Sequence, residues 1–270
     1  MRLAACNELL RRLPWPDACR LIADAGFEGV EIAPFVFADS VCDLGMSDRV
    51  EIKSAAESAG LQIVGLHWLL VSPAGLHVAH ADAEIRSRTA DYLRELVLFA
   101  ADLGADRMVF GSPKQRSSDR NDRLELMIDT LTSAVREAEE HRIIICIEPL
   151  PRDETHFINT MDEAAEVVRA FNSDSVSSIF DVKSALSETH DLPNLIIKRQ
   201  SIIRHVHLND SNRRAPGFGP TDFGPILSTL KRIGYTGWLS IEPFDDFPDP
   251  ESMIRGSGAY LRKLLADNRE

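Results

Sequence analysis

The chain has 270 residues, 44% of them hydrophobic, and a formal net charge of −12. That length suits one large α/β barrel or two smaller domains. The acidic balance leaves no basic face for nucleic acid and no attraction to an anionic membrane surface, so neither is expected as a partner.

No stretch is apolar over the ~18 residues that a bilayer span needs. Glu8, Arg11 and Arg12 interrupt the apolar residues near the N-terminus, which therefore lacks the core of a signal peptide. Cys6, Cys19, Cys42 and Cys146 show neither CxxC spacing nor the density of a disulfide scaffold. Cys6 and Cys146 lie inside apolar strand candidates and read as small core residues. A reduced, cytoplasmic enzyme is expected.

In chain order, Arg2–Cys6 is a strand candidate, followed by a helix over 16–25 that stops at Gly26. Gly29–Ala33 is the second strand, and Pro34 closes it. Ser47 suits the N-cap of a helix through Ala59, with Gly60 at its end. Leu61–Leu66 gives a third strand ending at His67, and a long helix spans 82–103 before Gly104. Asp106–Phe110 is the fourth strand, with Gly111–Lys114 read as the loop after it and a helix over 124–141. The run Ile143–Ile147 is the fifth strand, apolar throughout as in a parallel sheet buried on both faces. Thr160 caps a helix to Phe171, and Val176–Phe180 is the sixth strand. A short helix over 192–200 precedes the strand Ile203–Leu208. A helix over 222–233 stops at Gly234, Trp238–Ile241 is the eighth strand, and a helix over 251–266 follows. Eight strand-then-helix units without a linker predict a single (β/α)8 TIM barrel occupying residues 1–270 as one domain. A doubly wound sheet is disfavoured, because the first βα turn lacks a glycine-rich dinucleotide fingerprint.

Four strands share one ending. Glu148 follows Ile143–Ile147, Asp181 follows Ile179–Phe180, His207 ends Val206–His207, and Glu242 follows Leu239–Ile241, with Ile-Glu-Pro occurring at both Glu148 and Glu242. Carboxylates are rarely buried unless paired or bound, and TIM-barrel sites lie at the C-terminal strand ends. Three carboxylates and an imidazole on neighbouring strands make an oxygen-rich site for one divalent metal ion: Mn²⁺ first, with Mg²⁺, Co²⁺ or Zn²⁺ as alternatives. Glu31 and His67 end strands of the first half and are expected to face the same cavity. Trp68 beside His67 offers a stacking face for a sugar, against a reading of both as core residues. Lys114 and Arg116 suit a solvated loop better than an anion site, and Lys183 suits a proton donor or an ion pair.

At these residues the chain resembles the xylose isomerase-like TIM barrel superfamily, and within it the ketose 3-epimerases of the tagatose and allulose type. The order and spacing of Glu148, Asp181, His207 and Glu242 match that family's metal site. The segment Glu148–Thr160 resembles its strand-five loop and His207–Arg214 its strand-seven loop. The resemblance implies a metal-dependent isomerase or epimerase of a small keto sugar, with Glu148 and Glu242 as the two bases working through an enediolate. It further implies that Glu154 lies in the substrate pocket near Glu148 and that Arg213 grips substrate oxygens. The family's His three residues after the metal Asp is replaced here by Ser184, and Asp210 stands where Glu is usual. The sugar is therefore left open. So are a metal-dependent dehydratase or lyase of a keto-polyol or keto-glycoside, an endonuclease IV-like phosphodiesterase, a non-catalytic sugar-binding barrel, and whether the chain forms a homo-oligomer.

Overall fold

The computed structural model describes residues 1–244 and 249–267. Eight parallel strands close in sequence order into a barrel: β1 Arg2–Cys6, β2 Gly29–Ile32, β3 Gln62–Leu66, β4 Arg107–Phe110, β5 Ile144–Ile147, β6 Val176–Asp181, β7 Ile203–Leu208 and β8 Trp238–Ile241. β8 pairs with β1 through Arg2↔Trp238 to Ala5↔Ile241, so no strand edge is left open. Around the barrel lie α1 Trp15–Asp24, α2 Met46–Ser58, α3 Ala83–Leu103, α4 Pro113–Arg116, α5 Arg123–His141, α6 Met161–Phe171, α7 Val182–Glu188, α8 Leu192–Arg199, α9 Gly224–Arg232 and α10 Pro250–Asp267. None of these helices is long and apolar enough to cross a membrane.

Local signals set the helix ends. Asp82 caps α3 by accepting from Glu84 N at 2.9 Å, and Gly104 ends it at φ 78°. Thr160 caps α6 by accepting from Glu163 N at 3.1 Å. Each such cap stabilises by about 1 kcal/mol. The start of α2 differs from the sequence reading: Gly45 is the N-cap, and its N–H donates to Asp48 Oδ2 at 2.8 Å. Ser47 is already inside the helix. The segment after β4 is also not all loop, since Pro113 opens the single turn of α4.

The main core lies between barrel and helices, where Ile32, Phe110, Ile147, Phe180 and Leu208 point outward from their strands. The alternate residues fill the interior in layers. At the N-terminal end pack Ala4, Val64 and Trp238, and a second small cluster unites Val109, Cys146 and Ile179. Two residues further along β1, β5 and β6 stand Cys6, Glu148 and Asp181, and on β8 Glu242 follows Trp238 and Ser240 at the same period. The period of two thus delivers polar side chains to the mouth above an apolar plug. The seam between β3 and β4 is the most thinly stitched, with Leu66↔Met108 as its recorded register pair, whereas β4 and β5 pair from Arg107↔Ile144 to Phe110↔Ile147. Gly65 allows the close approach there; a Cβ would lie 2.6 Å from Arg107 Cγ and 3.0 Å from its carbonyl oxygen.

Candidate metal centre

Glu148, Asp181, His207 and Glu242 bring their ligand atoms within 4.8 Å of one another, and all four are buried. Asp181 is fixed at the start of α7, where Ser184 N donates to its Oδ1 at 2.6 Å and Asn209 Nδ2 to its Oδ2 at 2.6 Å. His207 Nε2 lies 3.2 Å from both oxygens of Glu31, and its Nδ1 lies 3.1 Å from Glu242 Oε2. Glu31 therefore anchors one edge of the ring and leaves Nδ1 turned to the cluster. His205, one layer below, adds a contact from its Nε2 to Glu31 Oε2 at 2.7 Å. Glu242 is held from a second side by His67 Nδ1 at 3.2 Å from Oε1. Glu148 has room because Gly111 has no side chain; a Cβ there would collide with Glu148 Oε2.

The charges within this group are unequal. Burial raises the Glu148 carboxyl to about 8, and the Glu242 and Asp181 charges push the same way. Burial also opposes ionisation of Glu242, yet the His207 and His67 rings outweigh it and hold that carboxylate at about 2. Asp181 is raised, by burial and Glu242, against the pull of Lys183. Three buried carboxylates at this spacing oppose one another's ionisation, and the cost falls most on Glu148. A divalent ion would offset that cost, and the donor set fits a hard metal with mostly oxygen ligands.

Around this centre, Lys183 Nζ donates to Glu154 Oε1 at 2.6 Å and sits 4.7 Å from the centre of the Phe244 ring. Lys183 is thus an ion-pair partner, and it fixes Glu154. Arg213, at φ 70°, stacks its guanidinium 5.2 Å from the same ring. Trp68, at φ 55°, meets Phe244 at 6.1 Å and Phe35 at 6.2 Å between ring centres. The buried Trp68 Nε1 and Ser184 Oγ have no hydrogen-bond partner among the described residues. His67 is a bridge: its Nε2 lies 3.1 Å from Glu8 Oε2 and its Nδ1 3.2 Å from Glu242 Oε1.

Arg116 departs from its reading as a solvated cation. It is fully buried, donating to the Glu148 carbonyl at 2.7 Å and the Ile158 carbonyl at 3.2 Å. Sequence reasoning also passed over Asn209, Glu8 and His205. The signal for two of them was present, since His205, His207 and Asn209 fall on one face of β7 and its extension at the strand period.

The model of the xylose isomerase-like TIM barrel family matches residues 19–264. The chain belongs to that family. A probable ketose 3-epimerase from Synechocystis is 23% identical to this member over 257 residues, covering 91% of this chain and 82% of the relative. The 3-dehydro-D-guloside 4-epimerase of Escherichia coli is 24% identical over 260 residues, 90% of this chain and 92% of the relative. In fold, the crystal structure of 3-keto-D-glucoside 4-epimerase from E. coli superposes with a TM-score of 0.84 at 22% identity, covering 97% of this chain and 99% of the other. This member of the xylose isomerase-like family thus stands with its epimerases and isomerases, as an enzyme whose mouth carries groups able to hold a metal.

Proposed function

We propose that this protein is a divalent-metal-dependent epimerase or isomerase of a keto sugar, working as one domain. Glu148, Asp181, His207 and Glu242 hold the ion, with Mn²⁺ the expected metal. The observation that carries this reading is the convergence of three buried carboxylates and an imidazole, all within 4.8 Å, at the C-terminal end of the barrel. When bound, the ion polarises a carbonyl and makes the adjacent C–H more acidic.

The chain's own residues do the rest. Glu148 and Glu242 come from strands three apart in an eight-strand ring and address the substrate from two sides. One takes the proton from the carbon next to the carbonyl, leaving an enediolate, and the other returns a proton to the opposite face. The two oxygens of Glu242 are fixed by His67 and His207, so that carboxylate enters the reaction already oriented. Glu154, clamped by Lys183, and Arg213 meet the substrate's oxygens, while Trp68 and Phe244 cover its apolar face. Trp68 Nε1, Ser184 Oγ and His67 complete the polar lining, the first two being buried donors without a hydrogen-bond partner among the described residues.

Ser184 favours a keto-glycoside over a free ketose. Its short side chain leaves the volume that the imidazole of the ketose 3-epimerases would fill, and a relative covering nearly all of this chain is named for a keto-glycoside. The test is exchange of substrate C–H with deuterated solvent by the metal-loaded protein, using free ketoses and 3-keto-glycosides. Exchange that depends on added metal supports the reading. Its absence with every keto sugar, under conditions where metal is bound, overturns it.

A further inference from the structure

We propose that Cys6, Glu8 and His67 form a second metal site, of the type that takes Zn²⁺ or Co²⁺. Cys6 ends β1, Glu8 lies in the tight turn Asn7–Leu10 that follows, and His67 follows β3. Their ligand atoms lie within 4.8 Å of one another, and all three side chains are buried, with Glu8 only 7% exposed. Both carboxylate oxygens of Glu8 and Nε2 of His67 are buried without a hydrogen-bond partner among the described residues. Glu8 Oε2 and His67 Nε2 approach to 3.1 Å. Two ligands at about 2.0 Å on a tetrahedral ion are about 3.3 Å apart, so this spacing suits atoms that share a metal.

Cys6 also belongs to a trio with Glu31 and His207. There, however, the Glu31 carboxylate is already engaged by His205 and His207. The Glu8 carboxylate and His67 Nε2, which among the described residues face only each other and Cys6, lie on the other side, which places the ion between Cys6, Glu8 and His67. A thiol, a carboxylate and an imidazole are the donors that zinc accepts, and three protein ligands leave one position for water or substrate. His67 Nδ1 faces Glu242 Oε1 at 3.2 Å, the arrangement by which a carboxylate orients a metal-binding imidazole. The second ion would therefore sit next to the base Glu242, joined to it through one ring.

The test is Co²⁺ titration of the full chain after metal removal, followed by metal content and absorption. Cobalt bound only by oxygen and nitrogen gives no thiolate-to-metal charge-transfer band in the near ultraviolet; cobalt on Cys6 does. The expected result is that band, filling with a second equivalent and lost in Cys6→Ser, which keeps the first equivalent. Glu8→Gln, with the thiol intact, should weaken the second equivalent by about tenfold or more, as loss of a ligand or its support does. A single equivalent without the band overturns the proposal, as does a band that survives Cys6→Ser, which would point to the exposed Cys42. If Cys6→Ser does not fold, Glu8→Gln decides, and unchanged binding of the band-forming ion overturns the site. The band needs no sugar and no turnover, so it stands even if the epimerase reading fails.

Discussion

The two halves of the barrel mouth use their polar residues differently. In the half from β5 to β8, Glu148, Asp181 and Glu242 turn toward one another, an arrangement that a proton or a cation relieves. In the half from β1 to β4, the polar residues reach across the barrel: Glu31 grips His205 and His207, and His67 grips Glu242. For the proposed ion at Glu148, Asp181, His207 and Glu242, the second half supplies the ligands and the first half orients them. Residues that look alike in sequence, a carboxylate or a histidine at a strand end, thus do different work according to what stands opposite.

The most severe way to break this comparison is to remove a base from the second half. Glu148→Gln and Glu242→Gln should each lower epimerisation by roughly 10²–10⁴-fold, the usual worth of a positioned acid or base. With metal content matched, one variant should retain solvent exchange for one epimer and the other for the opposite epimer. Equal exchange of the same epimer by both would show that the carboxylates do not flank the substrate.

A change in the first half should do less and do it indirectly. Glu31→Gln leaves the ligands in place but releases His207 and His205, and should weaken metal binding by about 10–100-fold while the barrel stays folded. An affinity equal to the unchanged protein's would mean that His207 needs no support. Metal removal tests the cluster as a whole. Ion at ~100 times its dissociation constant stabilises by about 2.7 kcal/mol, so chelation should lower Tm by several degrees, recovered by Mn²⁺. The smallest effect concerns Ser184. Ser184→His should shift turnover toward free ketoses by at most about tenfold, the worth of one hydrogen bond, read as the ratio of kcat/KM values.

The strands and their endings were legible because an apolar run stopped by Asp, His or Glu is a one-dimensional signal. The same holds for α3 and α6, whose caps are local. What was illegible depended on convergence in space. α7 is too short to display a helical period, and its N-cap is the very residue, Asp181, that ends β6. Arg116 looked like a surface cation because nothing in its neighbourhood announces the two carbonyls, 32 and 42 residues away, that bind it. Glu8 stood among apolar residues as an interruption; only the fold sets it against His67.

The loose seam between β3 and β4 carries a consequence for how the barrel breathes. A ring of strands opens first where the ladder is sparsest, and the pairing at Leu66↔Met108 is sparser than that at any neighbouring joint on the side of β4 and β5. Amide protons along Gln62–Leu66 and Arg107–Phe110 should therefore exchange with solvent ahead of those of β5 and β6. That opening lies directly below His67, so the same fluctuation that exposes the seam would momentarily unseat the ring that steadies Glu242. Sub-global hydrogen exchange at this joint and the lifetime of the ordered mouth are, on this geometry, two views of one motion.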